Sequence, residues 1–145
     1  MQSPSPFILT YRKLVKSDDL NHVGNLFGGR LLQWSDEAAV LYAMCQIGSK
    51  SVVTLKMSEV LFKNPANSGD ILEFWTRRTQ AGKTSVTVEC VVVRKTVKSP
   101  QIEPVAPSED AQGQLLNQDN IILSCEFVFV HLDETGRPTQ HNIAP

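Results

Sequence analysis

The stretch Gly28-Gly29-Arg30-Leu31-Leu32-Gln33-Trp34-Ser35-Asp36-Glu37-Ala38-Ala39-Val40-Leu41-Tyr42-Ala43-Met44-Cys45-Gln46-Ile47-Gly48 decides the fold. A glycine pair introduces an apolar run from Leu31 to Ile47, and Gly48 closes it with a residue suited to a helix C-terminus. At 1.5 Å per residue such a helix spans on the order of 25 Å. Its second half, Ala38 to Cys45, has no charged side chain on any side. A helix of that kind cannot lie on a surface with one face in water, so it is expected to be nearly enclosed.

The flanking segments say what encloses it. From Phe7 to Val15 apolar and polar residues partly alternate around the β-formers Ile8, Thr10 and Tyr11, which suits a first strand. Strand-like segments then run over Ser51 to Phe62, Ile71 to Thr79 and Thr84 to Val97, the last two joined across Gln80-Ala81-Gly82-Lys83 as a hairpin. A final strand covers Ile121 to His131 and precedes a tail. Lys98 to Asn120, with Pro100, Pro104, Pro107 and Gly113 among polar side chains, is expected to be a mobile surface loop. Strand, helix, then four strands with short links predicts an α+β class, one helix against a curved antiparallel sheet.

Composition sets the outer limits. A chain of 145 residues fits a single domain, 1–145, and buries roughly 70% of its unfolded surface without needing disulfides or metal. A net charge of −1 with no basic face argues against nucleic acid or an anionic membrane as partner. Cys45, Cys90 and Cys125 are odd in number and lie among apolar neighbours, and they read as buried thiols in a reducing compartment. The opening Met1 to Lys16 lacks the apolar centre of a secretory signal, and the cytoplasm is the expected location. Cysteine and histidine spacings offer no zinc site, and no metal or other cofactor is expected.

The chemistry concentrates in Asp19-Leu20-Asn21-His22-Val23-Gly24-Asn25-Leu26-Phe27-Gly28-Gly29 and the helix that follows. The first amides of a helix lack internal partners and carry the positive end of its dipole, and Gly28 and Gly29 let a substrate approach them. Such a place can polarise a carbonyl oxygen. Asp36 has apolar Leu32 and Val40 one turn to either side. There a carboxylate is partly desolvated and a stronger base than one in water, although on the helix pattern alone complementing the helix dipole is the more ordinary role. Asn21 has an amide to offer a substrate, and is also common turn chemistry; His22 has no evident partner. Gly24 to Leu31 superficially looks like a phosphate-binding loop, but Arg30-Leu31 stands where Lys-Ser/Thr is required.

Taken together, Asp19, Asn21, Gly24, Phe27, Gly28, Gly29 and Asp36 resemble the motif of the hot-dog-fold acyl-CoA thioesterases, in the branch with Asn in the loop and Asp on the central helix. Phe62 to Asp70, Gly82 to Val86 and Asp133 to Pro138 add further family-like segments in the same order. The resemblance implies a hot-dog architecture, a long helix wrapped by an antiparallel sheet, with two units paired edge to edge and assemblies up to hexamers. It implies acyl-CoA as substrate and coenzyme A as product, with Asp36 activating water or attacking the thioester. The resemblance places the substrate between the two units, where Asn21 of the partner subunit and the amides near Gly28 and Gly29 stabilise the oxyanion, while Lys83, Thr84 and Ser85 contact the coenzyme. The 98–120 loop is longer than the family's usual connection. A hot-dog dehydratase and a non-catalytic acyl-CoA sensor are the alternatives; the first generally relies on a histidine paired with a carboxylate, and Phe27 stands where a related thioesterase branch has His.

Overall fold

The computed structural model describes residues 3–95, 97 and 104–143. Five strands, β1 (Ile8–Leu14), β2 (Val52–Phe62), β3 (Ile71–Ala81), β4 (Ser85–Lys95) and β5 (Ile121–His131), form one sheet in the order β1-β3-β4-β5-β2. Every neighbouring pair is antiparallel. One long helix, α1 (Gly28–Ile47), packs on one face, giving the hot-dog fold.

Alternation along the strands builds the core. Leu72 and Phe74 on β3, Val86, Val88, Cys90 and Val92 on β4, and Leu123, Cys125, Phe127 and Phe129 on β5 meet α1 in a single buried cluster. Ala38, Ala39 and Ala43 have no exposed surface, so small side chains let the helix backbone lie close to the sheet. Cys90 and Cys125 face each other across β4 and β5. The Cys125 thiol and complete burial push the Cys90 thiol up, which keeps it protonated and inert.

Intervening strand residues point to the other face. There Glu73, Val93 and Ile121, together with Val105, Pro107 and Leu116 from the long connection, line an open cleft of about 220 Å³. Residues 98–103 of that connection lie outside the described residues; beyond them, Glu109 pairs with Arg77, and Glu109 and Leu115 form an isolated bridge. Asn64 adds a hydrogen bond of 2.8 Å to the Gln118 carbonyl. Among the described residues, no helix is long and apolar enough to cross a membrane.

Three expectations are corrected. Helix α1 begins at Gly28 rather than Leu31, with Phe27 as N-cap and no side-chain cap to announce the start. Its C-terminus is as expected: Gly48 adopts φ 77° and donates its N–H to the Met44 carbonyl at 2.8 Å. The helix is not enclosed within one chain, because a sheet covers it from one side only. Gln33, Glu37, Leu41 and Cys45 face outward, so Cys45 is an exposed thiol and not a buried one. Finally, β3 continues to Ala81, leaving only residues 82–84 to connect it with β4.

Phe127 sits fully buried between sheet and helix and stacks on Phe129 with ring centroids 5.8 Å apart. Phe127→Ala is expected to lower stability by about 3–5 kcal/mol in urea unfolding at fixed protein concentration.

Candidate active site

The loop before α1 is fastened at both ends. Asp19, 3% exposed, accepts hydrogen bonds from the Lys16 amide at 2.9 Å and from Arg30 Nη1 at 2.7 Å. Its carbonyl also receives the Phe27 amide at 3.0 Å, so one residue binds the loop's start to its end and to the helix. A buried carboxylate is tolerable only with such partners. Between these anchors, Leu20 and Leu26 form a bridge and Gly24 takes φ 85°, which closes a tight turn.

That turn dictates what Asn21 offers. Its Oδ1 accepts the amides of Val23 at 3.0 Å and Asn25 at 3.1 Å. With the acceptor committed, Nδ2 makes no hydrogen bond among the described residues and remains a donor. Asn21 and Gly28 line a cleft of about 290 Å³ together with Leu31, Phe62, Asn64 and Pro65. A Cβ on Gly28 would lie 3.3 Å from Phe62 Cε1, whereas one on Gly29 would meet nothing within 4 Å. The first helical bond runs from the Leu31 amide to the Phe27 carbonyl. The amides of Gly28, Gly29 and Arg30 therefore precede the helical ladder and are donors at the positive end of α1.

Asp36 lies two turns along α1, half-buried, outside that cleft. It accepts a hydrogen bond of 2.8 Å from the hydroxyl of Thr54 on β2. Thr54 is the functional candidate missing from the sequence reading. Its only signal was alternation along β2, which places it on the helix-facing side; nothing in the sequence links it to a carboxylate 18 positions earlier.

Lys83, Thr84 and Ser85 occupy the β3–β4 turn at the far end of the molecule. The Thr84 carbonyl accepts the His131 amide at 2.8 Å, and His131 pairs with Val52 at the start of β2. Lys83 is exposed, and Thr84 and Ser85 are partly so. A 20-residue helix measures about 30 Å, so a single chain unites Asn21 with Gly28 and leaves the Lys83 turn remote from both. His22 stands exposed on the loop.

Strand β2 separates these two ends and is open along its outer edge. Paired only with β5, it exposes Val53, Leu55, Met57, Leu61 and Phe62, Leu55 to 67%. A long apolar edge of this kind is a docking surface or an aggregation hazard.

Residues 23–100 match the profile of the thioesterase superfamily. The chain belongs to that superfamily. Within it, the acyl-CoA thioester hydrolase YciA of Escherichia coli is 30% identical over 130 residues, covering 90% of this chain and 87% of the relative. A hexameric hotdog fold thioesterase of Campylobacter jejuni superposes with a TM-score of 0.70 at 25% identity, over 92% of this chain and 90% of the other. An acyl-CoA hydrolase of Staphylococcus aureus, solved in complex with butyryl coenzyme A, coenzyme A and coenzyme A disulfide, does so with a TM-score of 0.70 at 25% identity, over 95% and 71%.

Arg30→Ala leaves the Asp19 carboxylate buried with only a backbone donor. It is expected to cost about 1–3 kcal/mol in urea unfolding and to accelerate hydrogen exchange at the Phe27 amide.

Proposed function

We propose that this superfamily member hydrolyses acyl-CoA thioesters to coenzyme A and a carboxylic acid, at a site completed by a second copy of the chain. The observation that carries the reading is Asp36, held by Thr54 on the open flank beside an apolar edge strand without a neighbour. Pairing β2 antiparallel with its symmetry copy covers that edge. It also sets the Phe62 end of one strand beside the Thr54 region of the other. Asn21, Gly28 and Gly29 of one copy thereby approach Asp36 of the second, and the Lys83 turn of that second copy lies next to the same seam. Groups that one chain keeps apart converge in two.

The chemistry then follows from donors and acceptors. The Thr54 hydroxyl occupies Oδ1 of Asp36, orienting the carboxylate so that Oδ2 faces a water as general base. Asn21 Nδ2 and the free amides at Gly28 and Gly29 receive the thioester oxygen as it gains negative charge. Water adds to the carbonyl carbon, the tetrahedral intermediate collapses, and the coenzyme thiolate leaves with the proton that Asp36 held. Lys83, with the hydroxyls of Thr84 and Ser85, supports the phosphates of the coenzyme. Dimers group in threes, as the hexameric relative from C. jejuni suggests, and the protein works in the cytoplasm, where its free cysteines remain reduced.

Thiol release from short, medium and long acyl-CoAs tests the reading. Asp36→Asn is expected to lower kcat by at least about a hundredfold with unchanged circular dichroism and elution volume. Near-normal turnover would remove Asp36 from the mechanism, and wild-type binding without release would make the protein a sensor. Leu55→Asp places a charge in the seam. It is expected to yield monomers by sedimentation, without thiol release.

A further inference from the structure

Beyond β5 the chain doubles back on itself. Asp133 Oδ1 accepts the amides of Thr135 and Arg137 and the Thr135 hydroxyl, and Leu132 pairs with Pro138. The returning segment runs past His131, where the Thr139 amide reaches the His131 carbonyl at 2.8 Å and His131 Nδ1 contacts the Gln140 carbonyl at 3.1 Å. This brings His141 against the β3–β4 turn. It is 4% exposed, the most thoroughly buried histidine of the three in the chain.

Both ring nitrogens of His141 are engaged, and the partners fix its tautomer. The Ile143 amide lies 3.1 Å from Nδ1 and is able only to donate, so Nδ1 is the acceptor. Nε2 therefore carries the hydrogen and donates it to the Ser85 carbonyl at 2.7 Å. The His141 amide also donates to the Lys83 carbonyl at 3.1 Å. With the His131 amide on Thr84, three consecutive carbonyls of the turn are held by the segment around His131 and His141. The Ser85 carbonyl receives the Gly82 amide as well, at 2.9 Å, and a Cβ at Gly82 would meet Ser85 Oγ at 2.8 Å.

A phosphate is repelled by carbonyl oxygens and drawn to amides and ammonium groups. Here the carbonyls are consumed on the side of the returning segment. The amides of Lys83 and Thr84 make no hydrogen bond among the described residues, and Lys83 is exposed. The turn is thus sorted, acceptors toward His141 and donors left over for an anion.

We propose that His141 is a positioning residue for coenzyme recognition: it clasps the Lys83–Ser85 turn in the one shape that offers its donors to the phosphates of acyl-CoA. This rests on the reading of that turn as the coenzyme contact. His141 touches neither the reacting carbonyl nor Asp36, so its loss acts on binding of the nucleotide end and not on the chemical step.

The test compares an acyl-CoA with the same acyl group on pantetheine, which lacks the nucleotide and its phosphates. His141→Ala is expected to raise KM for acyl-CoA on the order of tenfold while kcat, and both constants for acyl-pantetheine, stay within twofold. His141→Gln, whose amide N–H and carbonyl are able to replace both ring contacts, is expected to restore most of the KM. An unchanged KM for acyl-CoA in His141→Ala overturns the clasp, and so does an equal loss on both substrates, which marks a general structural role. Lys83→Ala separates the two claims. A raised KM for acyl-CoA in Lys83→Ala beside an unaffected His141→Ala sinks the clasp alone, whereas no effect of Lys83→Ala sinks the coenzyme reading of the turn and the clasp with it.

Discussion

One helix roughly 10 Å across cannot cover five strands spaced about 4.8 Å apart, and the rest of the molecule answers to that shortfall. Helix α1 touches all five strands, yet β2 at the margin has no strand on its outer edge and keeps only Val52 of its side chains in the buried core. The opposite face of the sheet is roofed in part by the long connection after β4. Hydrophobic surface is left over at β2, and at about 25 cal/mol per Å² of apolar area buried, covering five exposed apolar side chains on one strand would be substantially favourable.

The same shortfall sets the surroundings of the candidate groups. A carboxylate in the middle of the core would be extinguished by desolvation, and one on the open surface would be a weak base. Asp36 occupies the flank between these, half-buried and held by Thr54. Asn21 is arranged by a different device, a turn that consumes its acceptor, and that turn in turn depends on the buried Asp19. The acidic residue opening the motif thus holds backbone and the Arg30 side chain in place.

How much of this was legible in the sequence depended on whether the signal was local. Strand β5 was found at its true bounds because alternation and flanking polar residues agree, and Gly48 marked the end of α1 because few other residues adopt its backbone angles. The start of α1 was missed by three residues: Gly28 and Gly29 are poor helix formers, and Phe27 caps without a side-chain hydrogen bond. Cys45 was misjudged because an uncharged helix face was taken for a buried one, whereas Leu41 beside it is 45% exposed in the single chain. The thioesterase fold and the loop motif were readable through resemblance. The Thr54–Asp36 contact and the His141 clasp were not, since each joins residues from separate elements that only the folded chain brings together.

Strand β2 is also irregular. Its register against β5 shifts twice, between Thr54 and Lys56 and between Ser58 and Leu61, and Glu59 takes the left-handed φ of 52°. A flat strand accepts any exposed edge it meets, while a strand bent at two fixed places fits well only against a surface with matching bends. In the proposed pairing such an edge serves as a badge of identity: in a crowded mixture of nascent chains, the partner it would suit best is another copy of itself.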